Sequence, residues 1–286
     1  MQVLNTIAQL RETVAGWRKS GERIALVPTM GNLHDGHLQL VKEARANAER
    51  VVVSIFVNPM QFVDADGKLG DFERYPRTLA ADLEKLAHAD VVFTPAVEEV
   101  YPGGFENETR VEVPDISGIL CGAHRPGHFV GVATVVARLF NMVQADVAFF
   151  GEKDYQQLLV IRRMAMELCF PIEIVGVATV READGLAMSS RNQYLNTDER
   201  QQAPIIYQTL LWVKEQLQTS EVDFDAIQNQ ANSKLQAAGF KPDYVVIRRA
   251  DNLQAATTKD LGLVILLAAW LGNARLIDNL RVQLVG

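Results

Sequence analysis

Two cysteines, Cys121 and Cys169, are all that the 286 residues carry. That is too few for a disulfide framework, and the residues around each read as ordinary interior sequence, so a cytoplasmic location is expected. Cations are scarce relative to anions: 28 Lys and Arg against 35 Asp and Glu leave a formal charge of −7. Broad nucleic-acid binding needs clustered cations to neutralise phosphates and is excluded; any polyanion bound is expected to be small and held locally. Long apolar runs are missing as well. The longest, LVILLAAWL near residue 270, is too short to span a bilayer, and the opening MQVLNTIAQLRETV has no basic stretch leading into a long apolar one. Neither an export signal nor a membrane anchor is expected. Internal repeats, low-complexity tracts and long flexible linkers are absent from the sequence too.

What is present is the composition of a folded globular protein, with 48% of residues hydrophobic and 22% charged. The length exceeds the usual single domain, which predicts one large domain with a smaller one appended. Short β-branched runs alternate with amphipathic helical stretches from RIALVP through HLQLVKEARANAER, VVVSIFV, TLAADLEKLAHA and DVVFTP, a βαβαβ order. The alternation continues with VGVATVVARLFNMVQ as helix, DVAFF as strand, YQQLLVIRRMAMELC as helix and IEIVGVATV as strand. Strands apolar on both faces predict a parallel sheet covered by helices on each side, the doubly wound α/β class. After about residue 181 the pattern changes. READGLAMSSRNQYL reads as a polar loop, two helical patterns follow at roughly 197 to 218 and 223 to 238, and strand-like DYVVIRRA and LGLVILLAAWL come last. The expectation is a large domain over 1–181 and a smaller α+β domain over 182–286 that acts as a lid.

The stretch richest in chemistry is PTMGNLHDGHL, Pro28 to Leu38, where a strand ends and a helix begins. Ligands of a doubly wound sheet sit beyond the carboxyl ends of its strands, at such crossings. Gly31 and Gly36 allow a sharp turn and a close ligand, and the helix that follows offers N–H groups and a positive dipole end to an anion. His34 and His37, two of only five histidines, share a helical face at this spacing and can both donate to phosphate oxygens. Donation of that kind matters most as negative charge builds in a transition state. Taken alone, H-x-G-H also suits two surface histidines at a helix start; its position between strand and helix favours function.

Further polar clusters fall at similar crossings. FGEKDYQQL follows another strand and opens another helix, on the same sheet edge. Lys153 can reach a phosphate as a mobile charge and Asp154 can accept from ribose hydroxyls, although a solvated turn with Glu152 and Lys153 paired also fits. AMSSRN, Ala187 to Asn192, offers two hydroxyls and a guanidinium suited to terminal phosphates, or else the approach to a helix capped at Asn196 or Thr197. VNPMQF ends the second strand, with Asn58 and Gln61 as uncharged groups for hydroxyls and carboxylates beside an apolar wall. RYPRTLAADL carries Arg77 and Asp82, which read equally well as a surface charge and a first-turn helix acid; RPGHFVGV sets Arg125 and His128 before a helix. A zinc site of Cys121, His124 and His128 is disfavoured, because Arg125, Pro126 and Gly127 spoil a regular helix and add a fixed positive charge.

In order and across nearly the whole chain, PTMGNLHDGH, VNPMQF, RYPRT, RPGHFVGVATVV, FGEKDYQQL and READGLAMSSRNQYL resemble the pantothenate synthetase family, the pantoate–β-alanine ligases of coenzyme A biosynthesis. The HxGH element alone is shared with a wider nucleotidylyltransferase superfamily that includes class I aminoacyl-tRNA synthetases; the other blocks are more specific. The resemblance implies a Rossmann-like domain of the HxGH nucleotidylyltransferase type and a two-step reaction. Pantoate's carboxylate attacks the α-phosphorus of Mg-ATP, giving pantoyl adenylate and pyrophosphate, and the amine of β-alanine then displaces AMP. Such chemistry needs positioning and charge neutralisation more than a protein nucleophile. The resemblance further implies ATP as substrate, Mg²⁺, a homodimer, and neither nucleic acid nor membrane as partner.

By matching position, the resemblance makes His34 and His37 the binders of the ATP phosphates, with His37 the proton donor. Lys153 neutralises the α-phosphate, and Ser189, Ser190 and Arg191 grip pyrophosphate. Gly151 and Asp154 hold the ribose, while Met30, Gly31, Glu152, Val180 and Met188 border the nucleotide. Gln61 and Gln157 bond pantoate with Asn58 nearby, and Arg125 and His128 lie at the pantoate and amine end. Asp82 is the candidate Mg²⁺ contact, needing little help because phosphates and water hold most of such a metal. The superfamily's second signature, KMSKS, here reads Ala187-Met188-Ser189-Ser190-Arg191, with neither lysine. Arg191 and Lys153 must supply that charge, which counts against a tRNA synthetase. A transferase acting on a phosphorylated acceptor would need cations where this chain has Asn58, Gln61 and Gln157, and a nucleotide sensor would bind ATP without acid-dependent pyrophosphate chemistry.

Overall fold

Strands too apolar for a sheet edge lie at the centre of the fold: Ile24 to Val27 and Val51 to Val53 are fully buried. The computed structural model describes residues 1–63, 72–218 and 222–284. The chain forms two compact units, Met1–Glu152 with Gln157–Ala178, and Lys153–Gln156 with Thr179–Gly286.

In chain order the first unit is built from β1 (Gln2–Leu4), α1 (Ile7–Lys19), β2 (Ile24–Thr29), α2 (Asp35–Asn47), β3 (Arg50–Ile55), α3 (Leu79–Lys85), β4 (Val91–Phe93), α4 (Val97–Val100), α5 (Cys121–His124), α6 (His128–Val143), β5 (Val147–Gly151), α7 (Tyr155–Glu167) and β6 (Glu173–Val177). The first residues of α7 fall in the second unit. The strands pair in the order β1-β4-β3-β2-β5-β6, every neighbour parallel. This is the doubly wound parallel class expected from the sequence. The chain runs outward from β2 to β3 and β4, then crosses back to β5 and β6, so the direction of winding reverses between β2 and β5. At such a switch point the connections leave on opposite faces and open a crevice at the carboxyl ends.

Patterning does not reveal β1 or α1. Three residues are too few to display a period, and α1 buries only Leu10 and Val14 fully. The helix is nonetheless well terminated: the Thr6 side chain accepts from the Gln9 N–H, and Arg18 and Lys19 occupy the negative end. By contrast α6 is apolar almost all round and buried accordingly.

The second unit holds α8 (Thr197–Gln202), α9 (Ile205–Gln216), α10 (Phe224–Ala237), β7 (Lys241–Arg249), β8 (Gly262–Leu271) and β9 (Ala274–Gln283). Its sheet is antiparallel in the order β7-β8-β9. Ile206, Leu210 and Val213 of α9 share one core with Leu235 of α10 and with Ile265 and Leu267 of β8. The helix expected over 197 to 218 is two helices, because Pro204 has no N–H to continue the first. Asn196 and Glu199 form a capping box on α8. Strand β9 is absent from the sequence-based expectation. It closes on β8 through Gly272-Asn273, a two-residue turn bounded by the Leu271–Ala274 pair, with Gly272 at φ +53°.

Candidate active site

In the first unit β2 ends at Thr29, whose hydroxyl donates to the Ser54 carbonyl (2.8 Å) and accepts from the Gly31 N–H (3.3 Å). Gly31 then turns at φ +80°, followed by Asn32 at φ +51°. A Cβ on residue 31 would stand 3.1 Å from Asp82 Oδ2 and 3.1 Å from the Ile55 side chain, so the turn needs glycine for both backbone shape and space. The next two N–H groups converge on one carboxylate, Asn32 to Asp82 Oδ2 at 2.9 Å and Leu33 to Asp82 Oδ1 at 2.8 Å. The Thr78 hydroxyl donates to the same carboxylate at 3.0 Å, and Lys85 Nζ donates to the Leu33 carbonyl at 2.7 Å. Helix α3 and its cap therefore clamp the loop that leads to the histidines. Gly36, expected to share in the turn, lies inside the first turn of α2 instead.

Asp82, taken from the sequence as a Mg²⁺ contact, is 1% exposed, and its two oxygens serve three donors. It sits as an acceptor in a nest of successive N–H groups and so holds the loop in place. Among the described residues no group of three or more His, Cys, Asp or Glu side chains is placed to hold a metal.

His34 is the N-cap residue of α2, and its N–H donates to His37 Nδ1 at 3.3 Å. The two rings lie 4.1 Å apart between centroids. An accepting Nδ1 puts the ring proton on Nε2, so Nε2 is the donating atom of the His37 ring. Met30 and both histidines are half-buried beyond the end of β2, one side of the switch point. Gly151 ends β5 on the other side, with open space where a Cβ would stand, followed by Glu152.

Asn58 caps a 3-10 turn, Pro59–Phe62, after β3, and Gln61 lies within that turn. Asn58 is 1% exposed, and its amide is spent internally: Nδ2 donates to Gln61 Oε1 (3.2 Å) and the Gly131 carbonyl (3.1 Å), and Oδ1 accepts from the Tyr101 hydroxyl (2.8 Å). Asn58 thus orients Gln61. Backbone meets backbone here, since a Cβ on Gly131 of α6 would lie 2.6 Å from the Gln61 nitrogen. The Gln61 carbonyl is 2.9 Å from His128 Nδ1, and His128 Nε2 is 3.1 Å from Arg125 Nη1. Arginine can only donate, so Nε2 accepts and Nδ1 carries the proton that His128 donates to Gln61. Arg125, His128, Asn58 and Gln61 are brought into one chain of contacts. Gln157 sits half-buried on α7 in the same unit.

In the second unit Lys153 Nζ lies 3.8 Å from Asp154 Oδ2. The expected polar loop is a braced turn: Arg181 and Ala187 form an antiparallel bridge, and the Met188 N–H donates to the Val180 carbonyl at 3.0 Å. Ser189 caps a 3-10 turn, Ser190–Tyr194, accepting from the Arg191 N–H at 3.2 Å. Asn192 Nδ2 donates back to the Ala187 carbonyl at 3.1 Å. Lys153 and Ser189 line one small crevice with Ala187, Asn192 and Asp278.

Residues 2–281 match the protein family described as pantoate-beta-alanine ligase. The chain belongs to the pantoate–β-alanine ligase family. A pantothenate synthetase of Photobacterium profundum is 57% identical over 286 residues, spanning 99% of this chain and 96% of that protein. Among solved structures, a pantothenate synthetase from Thermus thermophilus is 46% identical with a TM-score of 0.89, covering 98% of this chain and 99% of that one. A pantoate-beta-alanine ligase from Francisella tularensis, complexed with beta-gamma ATP and β-alanine, is 35% identical with a TM-score of 0.79 over 98% and 97%. Membership sets the tRNA synthetase, phosphate-acceptor transferase and sensor readings aside. No helix of this ligase is long and apolar enough, among the described residues, to cross a membrane.

Some residues that hold the ligase's candidate groups are not picked out by sequence reading. Tyr101 and Gly131 carry no local signal, because their partners lie 43 and 73 residues away in the chain. Asp278 does carry one. It occupies the inward series Ala274, Leu276, Val282 of β9, where a charge is out of place.

Proposed function

We propose that the ligase activates pantoate by adenylation on ATP, releasing pyrophosphate, and that the amine of β-alanine then displaces AMP to give the amide. The observation that carries this reading is the His34–His37 pair at the carboxyl end of β2, beside the switch point of the sheet, with the His37 ring fixed so that Nε2 donates. A ring N–H held in place beforehand meets developing phosphate charge without reorganising. In this reading His34 and His37 bind the phosphates, and Lys153, Ser189, Ser190 and Arg191 take the remaining phosphate charge. Met30, Gly31, Gly151, Glu152, Asp154, Val180 and Met188 surround the nucleoside. Gln61, Gln157, Arg125 and His128 face pantoate and the amine, with Asn58 supporting Gln61.

Mg²⁺ belongs to the reading as the usual partner of ATP, held mainly by phosphates and water, with Asp82 as the candidate protein contact. A homodimer and a cytoplasmic setting rest on the resemblance and on the scarcity of cysteine. A single monomeric species in sedimentation equilibrium would remove the dimer.

The decisive measurement is ATP–pyrophosphate exchange with Mg²⁺ and without β-alanine, adding pantoate, other hydroxy acids or amino acids in turn. Exchange that requires pantoate is expected. Exchange driven by a different acid would change the substrate and keep the mechanism, whereas none with any acid would overturn the adenylate.

A further inference from the structure

Asp278 is a carboxylate on the inward side of a strand, 3% exposed among the apolar residues of the second unit's core. Taken out of water, such a group must be matched by charge and hydrogen bonds. The match is Arg181, bonded in two prongs at 2.6 Å (Nη1 to Oδ2) and 3.0 Å (Nη2 to Oδ1), with the Asn279 N–H adding 2.8 Å to Oδ1. Arg181 also donates to the Gly185 carbonyl at 3.1 Å, and its guanidinium lies 3.8 Å from the Tyr207 ring centroid. Asp278 therefore fixes Arg181, and Arg181 fixes the turn that leads into Met188, Ser189, Ser190 and Arg191.

The neighbouring residue, Asn279, reaches Lys153. Asn279 Nδ2 donates to the Lys153 carbonyl at 2.8 Å, and the Tyr155 hydroxyl two residues on donates to the Ala250 carbonyl at 2.8 Å. Burial pushes the Asp278 carboxyl up, while Arg181 and, more weakly, the Lys153 charge pull it down. Packing alone does not account for this arrangement, because an apolar pair of similar volume is often as stable as a buried ion pair.

We propose that Asp278 and Asn279 are positioning residues for adenylation: Asn279 holds the backbone of Lys153, and Asp278, through Arg181, holds the turn that carries Ser189, Ser190 and Arg191. The inference rests on the reading of those groups as the phosphate contacts.

The test is ATP–pyrophosphate exchange in Asn279→Ala, Asp278→Asn, Lys153→Met and the Asn279→Ala/Lys153→Met double variant, with folding followed by thermal unfolding. Lys153→Met is expected to slow exchange about 10² to 10³-fold, as for loss of a charge stabiliser. Asn279→Ala is expected to lower kcat about 10-fold with the pantoate KM unchanged, as for a slight misplacement, and to add nothing further once Lys153 is gone. Parent-rate exchange in Lys153→Met would sink the phosphate-site reading and this inference with it. Slow Lys153→Met beside parent-rate Asn279→Ala and Asp278→Asn, or losses that multiply in the double variant, would overturn the positioning role alone. Should Asp278→Asn not fold, Asn279→Ala carries the test.

Discussion

The turn after β2 and the turn at residues 181–187 are each held by a buried aspartate, yet the two aspartates have different kinds of partner. Asp82 receives the N–H groups of Asn32 and Leu33 together with the Thr78 hydroxyl. Asp278 receives chiefly the guanidinium of Arg181, in two prongs, with one backbone N–H, that of Asn279, beside it. A carboxylate bonded to backbone N–H groups cannot be replaced together with its partners, because those donors belong to the chain itself. A carboxylate bonded to a side chain can be exchanged along with it. The first clamp is therefore bound to the shape of its turn, and the second is open to redesign as a pair.

The comparison can be broken or sharpened by substitution. The largest effect belongs to the group that the first clamp delivers: His37→Ala should slow adenylate formation about 10² to 10⁴-fold, the usual range for losing a proton donor or charge stabiliser. Single-turnover adenylation at a near-normal rate would remove His37 from the mechanism. Single removal of either clamp comes next. Asp82→Ala strands two N–H groups and Asp278→Ala strands a guanidinium, each expected to lose about 3 to 5 kcal/mol of stability in urea unfolding. The two sites should then part company. Arg181→Met combined with Asp278→Leu is expected to return stability to within about 1 kcal/mol of the parent while adenylation stays slow. A double variant as unstable as Asp278→Ala alone would show that the ion pair, like the first clamp, has no apolar substitute.

The same contrast explains what the sequence could and could not convey. The first turn is legible because its parts are consecutive: an apolar strand, Gly31, two histidines and a helix start follow one another between Ile24 and His37, so geometry follows from order. Asp82 stands out as a polar residue, but the two backbone donors it holds lie 49 and 50 residues away, so its grip on the turn has no local signal. The central strands are legible because both faces are buried and their middles, Ile24 to Val27 and Val51 to Val53, are apolar throughout. Strand β1 is invisible at three residues, and its place beside β4 comes from the sheet, not from its own pattern. Strand β9 is harder still, since Asp278 and Asn279 interrupt its alternation. The Gly272-Asn273 dipeptide between two strand-like runs is the available hairpin signal. The residues that disguise β9 are the two proposed as positioning residues, Asn279 for Lys153 and Asp278 for the Arg181 turn.

A third aspartate on the second turn completes the series at its exposed end and should give the smallest effect. Asp184 Oδ1 accepts from the Leu186 N–H at 3.2 Å and Oδ2 from Arg200 Nη1 at 2.5 Å. The Arg200 hydrogen bond is the main reason its carboxyl is held below the ordinary value of 3.8. A carboxyl depressed on folding contributes stability above its unfolded value, and that contribution is lost as pH falls through the folded value. With 40% of the side chain exposed, water and salt screen the pair, so Asp184→Asn should cost less than about 1 kcal/mol at pH 7. The difference between parent and variant should shrink toward zero as unfolding is followed below pH about 4, where the parent carboxyl gains its proton. A difference that stays constant from pH 7 to pH 3 would assign the loss to the shape of the turn and not to the charge, and Asp184 would then resemble the first clamp more than the second.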